Sequence, residues 1–95
     1  MSFEMSFSEE TVKGAWERSR GKCECRRTTH GHADRCNEKL IWEQRGKESA
    51  SGSWDTLHRL SPRHGGSDSI SNCEVLCTLC RSNILLKAKK LFGAD

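Results

Sequence analysis

Apolar and polar positions alternate along this chain with changing period, and the changes mark its elements. Ser6-Phe7-Ser8-Glu9 has the form of a helix capping box, and Val12, Ala15, Trp16 and Ser19 follow on one helical face. The spacing predicts an amphipathic helix from about Ser8 to Ser19, ended by Gly21, with Trp16 turned inward. Lys22 to Cys36 shows no apolar period and reads as a polar loop, and Lys39-Leu40-Ile41-Trp42 reads as a short strand. Arg45 to Ser53, rich in glycine, serine and charge, is expected to be a flexible connection. Ser53 to Leu60 alternates as a second strand, with Trp54, Thr56, His58 and Leu60 on one face and Asp55, Leu57 and Arg59 on the other.

Ser61-Pro62 and Gly65-Gly66 bracket a surface loop reaching about Ser71, and Cys73 to Cys77 is a further short apolar stretch. Thr78 to Phe92 has the pattern of a partly apolar helix with a basic end at Lys87, Lys89 and Lys90. Those lysines suit either the helix dipole or a phosphate backbone. Residues 1–7 read as a disordered leader and residues 8–95 as a single α+β domain.

Composition adds a constraint on stability. The chain has 95 residues, of which 34% are hydrophobic, and its mean hydropathy is −0.76. A domain of this size buries a thin core, so an additional cross-link is expected. The six cysteines are the obvious source of one. Met1 to Ser19 carries Glu4, Glu9, Glu10 and Lys13 with no apolar run suited to secretion or membrane insertion, so the thiols are read as reduced and the protein as cytoplasmic. The formal charge of +3 permits contact with nucleic acid without requiring it.

Cys77-Thr78-Leu79-Cys80 is a C-x-x-C pair, a spacing that lets two thiolates from one turn reach the same tetrahedral zinc. Upstream thiols must complete such a site. Cys23 and Cys36 are the first choice and Cys25 follows closely, while His30 and His32 could join Cys25 and Cys36 on a second ion. Cys73, beside the predicted strand, reads as a small buried hydrophobe. Redox use of the C-x-x-C pair is disfavoured because no thioredoxin-like βαβ pattern surrounds it.

The segment Trp54-Asp55-Thr56-Leu57-His58-Arg59-Leu60-Ser61-Pro62, with Gly65-Gly66-Ser67-Asp68 and Asn72-Cys73-Glu74-Val75-Leu76-Cys77-Thr78-Leu79-Cys80, resembles the HNH (ββα-metal) nuclease family. It is most similar to small bacterial and phage HNH proteins. Lys22-Cys23-Glu24-Cys25, His30-Gly31-His32 and Arg35-Cys36 stand where those proteins carry related motifs, so the resemblance runs from about Val12 to Phe92. It implies a zinc-stapled β-hairpin and helix, flanked here by an N-terminal helix, with one divalent ion, His58 as general base and Asn72 bracing the loop. A metal-held phosphate and a deprotonated water are what phosphodiester hydrolysis requires.

The two metal-ligand positions implied by the resemblance hold Leu57 and Arg81. Leucine has no lone pair and arginine is a fixed cation. At about 4 Å and an effective dielectric near 20, Arg81 would repel a divalent ion by on the order of 8 kcal/mol. Mg²⁺ or Mn²⁺ binding is therefore doubtful unless Asp55, His64, Asp68 or Asn83 substitutes. A guanidinium at Arg81 can instead clamp a phosphate, with Arg59 and the three lysines as further expected contacts.

Three functions follow: a catalytically inactive HNH-like zinc domain binding nucleic acid or a nucleic-acid-processing protein; an active endonuclease using His58; or a phage-type inhibitor or adaptor on a host nuclease or CRISPR complex. The reading leans away from an enzyme. Trp42 and Trp54 are expected in the core, or as exposed anchors if the adaptor reading holds.

Overall fold

The computed structural model describes residues 7–27, 32, 34–47 and 50–91, and the side chains of all of these except Arg63 and residues 87–91. Two helices, α1 (Glu9–Ser19) and α2 (Thr78–Leu91), and a two-stranded antiparallel sheet of β1 (Trp54–His58) and β2 (Cys73–Cys77) make an α+β architecture. None of the described helices is long and apolar enough to cross a membrane.

Helix α1 is capped by Ser8, whose Oγ accepts from the Thr11 amide at 3.3 Å. The cap thus falls two residues after Ser6, where the capping-box pattern had put it, and Ser6 itself lies outside the described residues. Glu9 and Glu10 occupy the first turn, where the dipole favours anions. The helix closes through Arg20 at φ 60 and Gly21 at φ 69, which return their amides to Glu17 and Trp16.

The following segment takes most of its order from hydrogen bonds outside regular ladders. Glu24 donates its amide to the Val75 carbonyl at 2.8 Å, and its own carboxylate accepts from the Val75 amide at 2.9 Å. On its other side, Cys23 exchanges backbone bonds with Glu38 and Asn37, and Cys36 bonds back to Cys25. Residues 21–25 are thus held between β2 and residues 36–40. The expected strand over Lys39–Trp42 is absent: Lys39 makes an isolated bridge to Lys22, and Trp42–Gln44 turns as a 3-10 helix. Arg45 and Gly46, expected in a flexible connection, are tied to Trp54.

The sheet register pairs Trp54 with Cys77 and His58 with Cys73. Strand β1 is therefore shorter at both ends than the alternation suggested. Trp54 is fully buried and anchors the core, its indole Nε1 donating to the Ile41 carbonyl at 2.9 Å. Trp16 and Trp42 pack around it with ring centroids at 4.7 and 5.6 Å. Both indoles read as possible docking anchors are thus engaged inside the fold. Phe7, assigned from sequence to the leader, is buried as well, at 6% exposure.

Candidate metal centre

Four segments bring their cysteines to one place. Cys23 and Cys36 come from the paired loop segments, Cys77 from the end of β2, and Cys80 from the first turn of α2. Their four Sγ atoms lie within 4.8 Å of one another, the three others buried and Cys36 half-buried. A short C-x-x-C turn produces half of this set: the strand delivers Cys77 and the helix start delivers Cys80, whose amide points at the Cys77 sulfur at 3.5 Å. Four soft thiol donors converging in an interior suit a tetrahedral metal ion.

The protonation of the cluster follows from crowding. Hydrogen bonds from Cys23 and its neighbours hold the Cys77 thiol down to about 5. The hydrogen bond to Cys77, together with burial, pushes Cys23 up, and burial with the same neighbour pushes Cys80 up. The Cys77 thiolate therefore forms readily and resists the ionisation of Cys23 and Cys80. A divalent cation at the centre would remove that mutual repulsion.

Cys25 stands in a second group, with His32 and Cys80, again within 4.8 Å. His32 Nδ1 is 2.6 Å from the Asp34 carbonyl, which can only accept, so Nδ1 carries the proton. Its Nε2 lies 3.6 Å from Cys80 Sγ. The sequence pointed to His30 and His32 with Cys25 and Cys36. The structure groups Cys25 and His32 with Cys80 instead, and His30 lies outside the described residues.

Cys73 joins neither group. It has no exposed surface, and burial pushes its thiol from 9.0 to about 11. A thiol that stays neutral in the fold but ionises near 9 when unfolded contributes stability that is fully present below pH 9 and is lost as pH rises toward 11. The expected loss is on the order of 2 kcal/mol. Urea denaturation at pH 8 and pH 10.5 checks it: the wild type should lose more stability over that interval than Cys73→Ala, and equal losses would refute the assignment.

At the far end of the sheet, His58 closes β1, and its ring stacks on that of Phe7 with centroids 3.9 Å apart. Asn72 organises the loop that follows. Its Nδ2 donates to the carbonyls of Leu60 and Ser67 at 3.0 and 2.9 Å, and its Oδ1 accepts from the Leu60 amide at 2.7 Å. The glycine pair has a steric reason: a Cβ on Gly66 would stand 1.7 Å from the Leu60 carbonyl oxygen.

The residues expected as catalytic-metal ligands or as their substitutes offer little to a hard cation. Leu57 is packed against the core, and Arg81 donates Nε to the Thr56 carbonyl at 2.9 Å, which ties its guanidinium to β1. Asp55 accepts from Arg45 at 3.1 Å and from the Thr56 amide at 2.8 Å. Asp68 caps the start of the first helix through the Ser8 amide, and hydrogen bonds from Thr11 and Ser8 hold its carboxyl below the usual range. His64 Nδ1 lies 2.9 Å from Ser61 Oγ, and Asn83 donates back to Leu79 within α2. Among the described residues, His58 belongs to no group of three metal-ligating side chains.

Arg59 is the other predicted nucleic-acid contact that can be followed; it donates to the Ser71 carbonyl at 3.2 Å while its side chain remains 45% exposed. Lys87, Lys89 and Lys90 lie on α2, with side chains outside those described. Sequence reading missed the engagement of Phe7 with His58, whose one available signal was an aromatic residue next to the helix cap. No family model, no curated protein and no solved structure matches this chain.

Proposed function

We propose that this protein is a zinc-stapled, catalytically inert relative of the HNH nucleases that binds nucleic acid. The zinc assignment is supported by the four-thiol set of Cys23, Cys36, Cys77 and Cys80, a donor set and burial suited to a structural ion. The relationship is supported by the order strand, loop, strand, helix and by the loop-bracing hydrogen bonds of Asn72.

The observation that carries inertness is the state of the two positions that the resemblance makes metal ligands, Leu57 and Arg81. Leu57 supplies no donor atom, Arg81 places a cation on the Thr56 carbonyl, and Asp55 and Asp68 are bound to Arg45 and Ser8. The residues present do not fit a catalytic Mg²⁺ or Mn²⁺, and Phe7 covers one face of the imidazole. Supercoiled plasmid incubated with Mg²⁺, Mn²⁺ or Ni²⁺ should show no nicking above buffer, with His58→Ala indistinguishable from wild type. Nicking that vanishes in His58→Ala would establish the endonuclease reading in its place.

A second reading, an adaptor on a nucleic-acid-processing protein, draws on one feature. Leu79 and Leu86, seven residues apart on α2, are 72% and 57% exposed and lie near one helical face. Leu79→Lys with Leu86→Lys leaves DNA affinity intact or higher under the first reading. A loss of DNA affinity would instead place α2 in the interface.

A further inference from the structure

We infer that an arginine-lined cleft, to which Arg59 next to His58 contributes one wall, is the surface that receives the phosphodiester backbone. The inference rests on the nucleic-acid reading above and specifies where the polyanion sits. The cleft has a volume of about 690 Å³ and is walled by five arginines and two glutamates. Among the described residues no lysine lines it.

Its charge is layered. Glu24 and Glu74 lie at the bottom, their side chains only 8% and 7% exposed. Arg18 grips Glu24 through Nε and Nη2 at 2.7 and 2.6 Å and reaches the Ile70 and Cys73 carbonyls. Arg27 grips Glu74 through two nitrogens at 3.0 and 3.1 Å. The carboxylates thus serve as fixed anchors for arginine side chains that remain 32% and 39% exposed. Hydrogen bonds to Glu24 and Glu74 raise both arginines above their ordinary range, so neither loses its charge.

Three further arginines complete the rim. Arg35 is locked by the carbonyls of Ser19, Lys22 and Cys23. Arg59 is half-exposed and lies 3.9 Å from Glu24. Arg26 is exposed and has no hydrogen-bond or ion-pair partner among the described residues. With two of five cations neutralised, the lining carries a formal excess of three. That equals the formal net charge of the whole chain, +3, so the rest of the chain balances to zero.

The chemistry selects the ligand. The guanidinium forks of Arg26 and Arg59 can match the paired oxygens of a phosphate, while Arg18, Arg27 and Arg35, held by Glu24, Glu74 and backbone carbonyls, supply fixed positive charge around them. Together these suit a polyanion with repeating phosphates. Such binding releases counterions, so its affinity falls steeply with salt.

Binding of a fluorescein-labelled 20-base-pair DNA duplex to the full chain, titrated from 50 to 200 mM salt, tests this. Arg26→Ala with Arg59→Ala should weaken binding at 0.1 M salt by on the order of tenfold or more and lower the salt slope by roughly two. Lys39→Ala with Lys47→Ala, an equal charge loss at exposed positions outside the cleft, should change the affinity less than threefold. Arg26→Glu, at a side chain bonded to nothing else described, should reproduce the loss without disturbing the fold. Equal effects of the cleft and control pairs would overturn the cleft while leaving the nucleic-acid reading standing. Wild-type protein that fails to bind the duplex at 50 mM salt would overturn that reading and the cleft with it. Polyglutamate competing as well as unlabelled duplex would refute phosphate recognition.

Discussion

Cys77→Ser is expected to abolish both metal retention and cooperative folding. Cys77 is the cluster thiol held down to about 5 and stands at the junction of β2 and α2, so its sulfur is the first to present a charge to an incoming cation. The set it completes ties Cys23 and Cys36 of the paired loop to the hairpin and the last helix. Structural zinc contributes about 10–16 kcal/mol of apparent free energy in small zinc domains, whereas whole domains are stable by only about 5–15 kcal/mol. Losing the ion therefore exceeds what this thin core can offset. Native mass spectrometry should show zinc on the wild type and none on Cys77→Ser, and circular dichroism should show a broad, non-cooperative melt in the variant. Treatment of the wild type with a strong chelator should give the same melt. Cys73→Ser, altering a cysteine outside both ligand groups, should keep the metal. A chelated protein that melts cooperatively at an unchanged Tm would remove the basis for the metal assignment.

Trp54→Ala should be the most damaging substitution that leaves the thiols intact, costing about 3–5 kcal/mol. The side chain is fully buried, stacks among Trp16 and Trp42, and hydrogen-bonds the Ile41 carbonyl. Its removal opens a cavity and leaves that carbonyl without its indole donor. Trp54→Phe separates the two contributions: it keeps a ring in the core and loses the hydrogen bond, for an expected cost of about 1 kcal/mol, since the Ile41 carbonyl keeps the Gln44 amide. Urea unfolding of the zinc-loaded proteins measures both. A cost under about 1 kcal/mol for Trp54→Ala would mean that the indole is peripheral to the stabilising core.

Local rules reached some of this protein from its residues alone. The span and period of α1, the glycine turn after it, the C-x-x-C pair at a strand-to-helix junction and the choice of Cys23 and Cys36 as partners all depend on spacing within one or two elements. Backbone geometry imposes such spacing directly. Leu57 and Arg81 were likewise readable, since the inability of leucine to ligate and the permanent charge of arginine belong to the side chains themselves.

Tertiary structure decided the rest, because the deciding contacts join positions far apart in the chain. Lys39–Trp42 looked like a strand by composition, but its neighbours turn it into a bridge and a 3-10 turn that accommodates Trp54. Phe7 shows no ligand or core periodicity, yet it meets His58 across 51 positions. Arg18, Arg26, Arg27, Arg35 and Arg59 are scattered charges in the sequence, each ordinary for a solvated surface. They become one cleft only because the backbone of Glu24 is laid against β2, which brings Glu24 and Glu74 to the floor beneath them. Periodicity carries information about the face of a single element, whereas a site assembled from a helix, two loop segments and a sheet depends on chain crossings that no local pattern encodes.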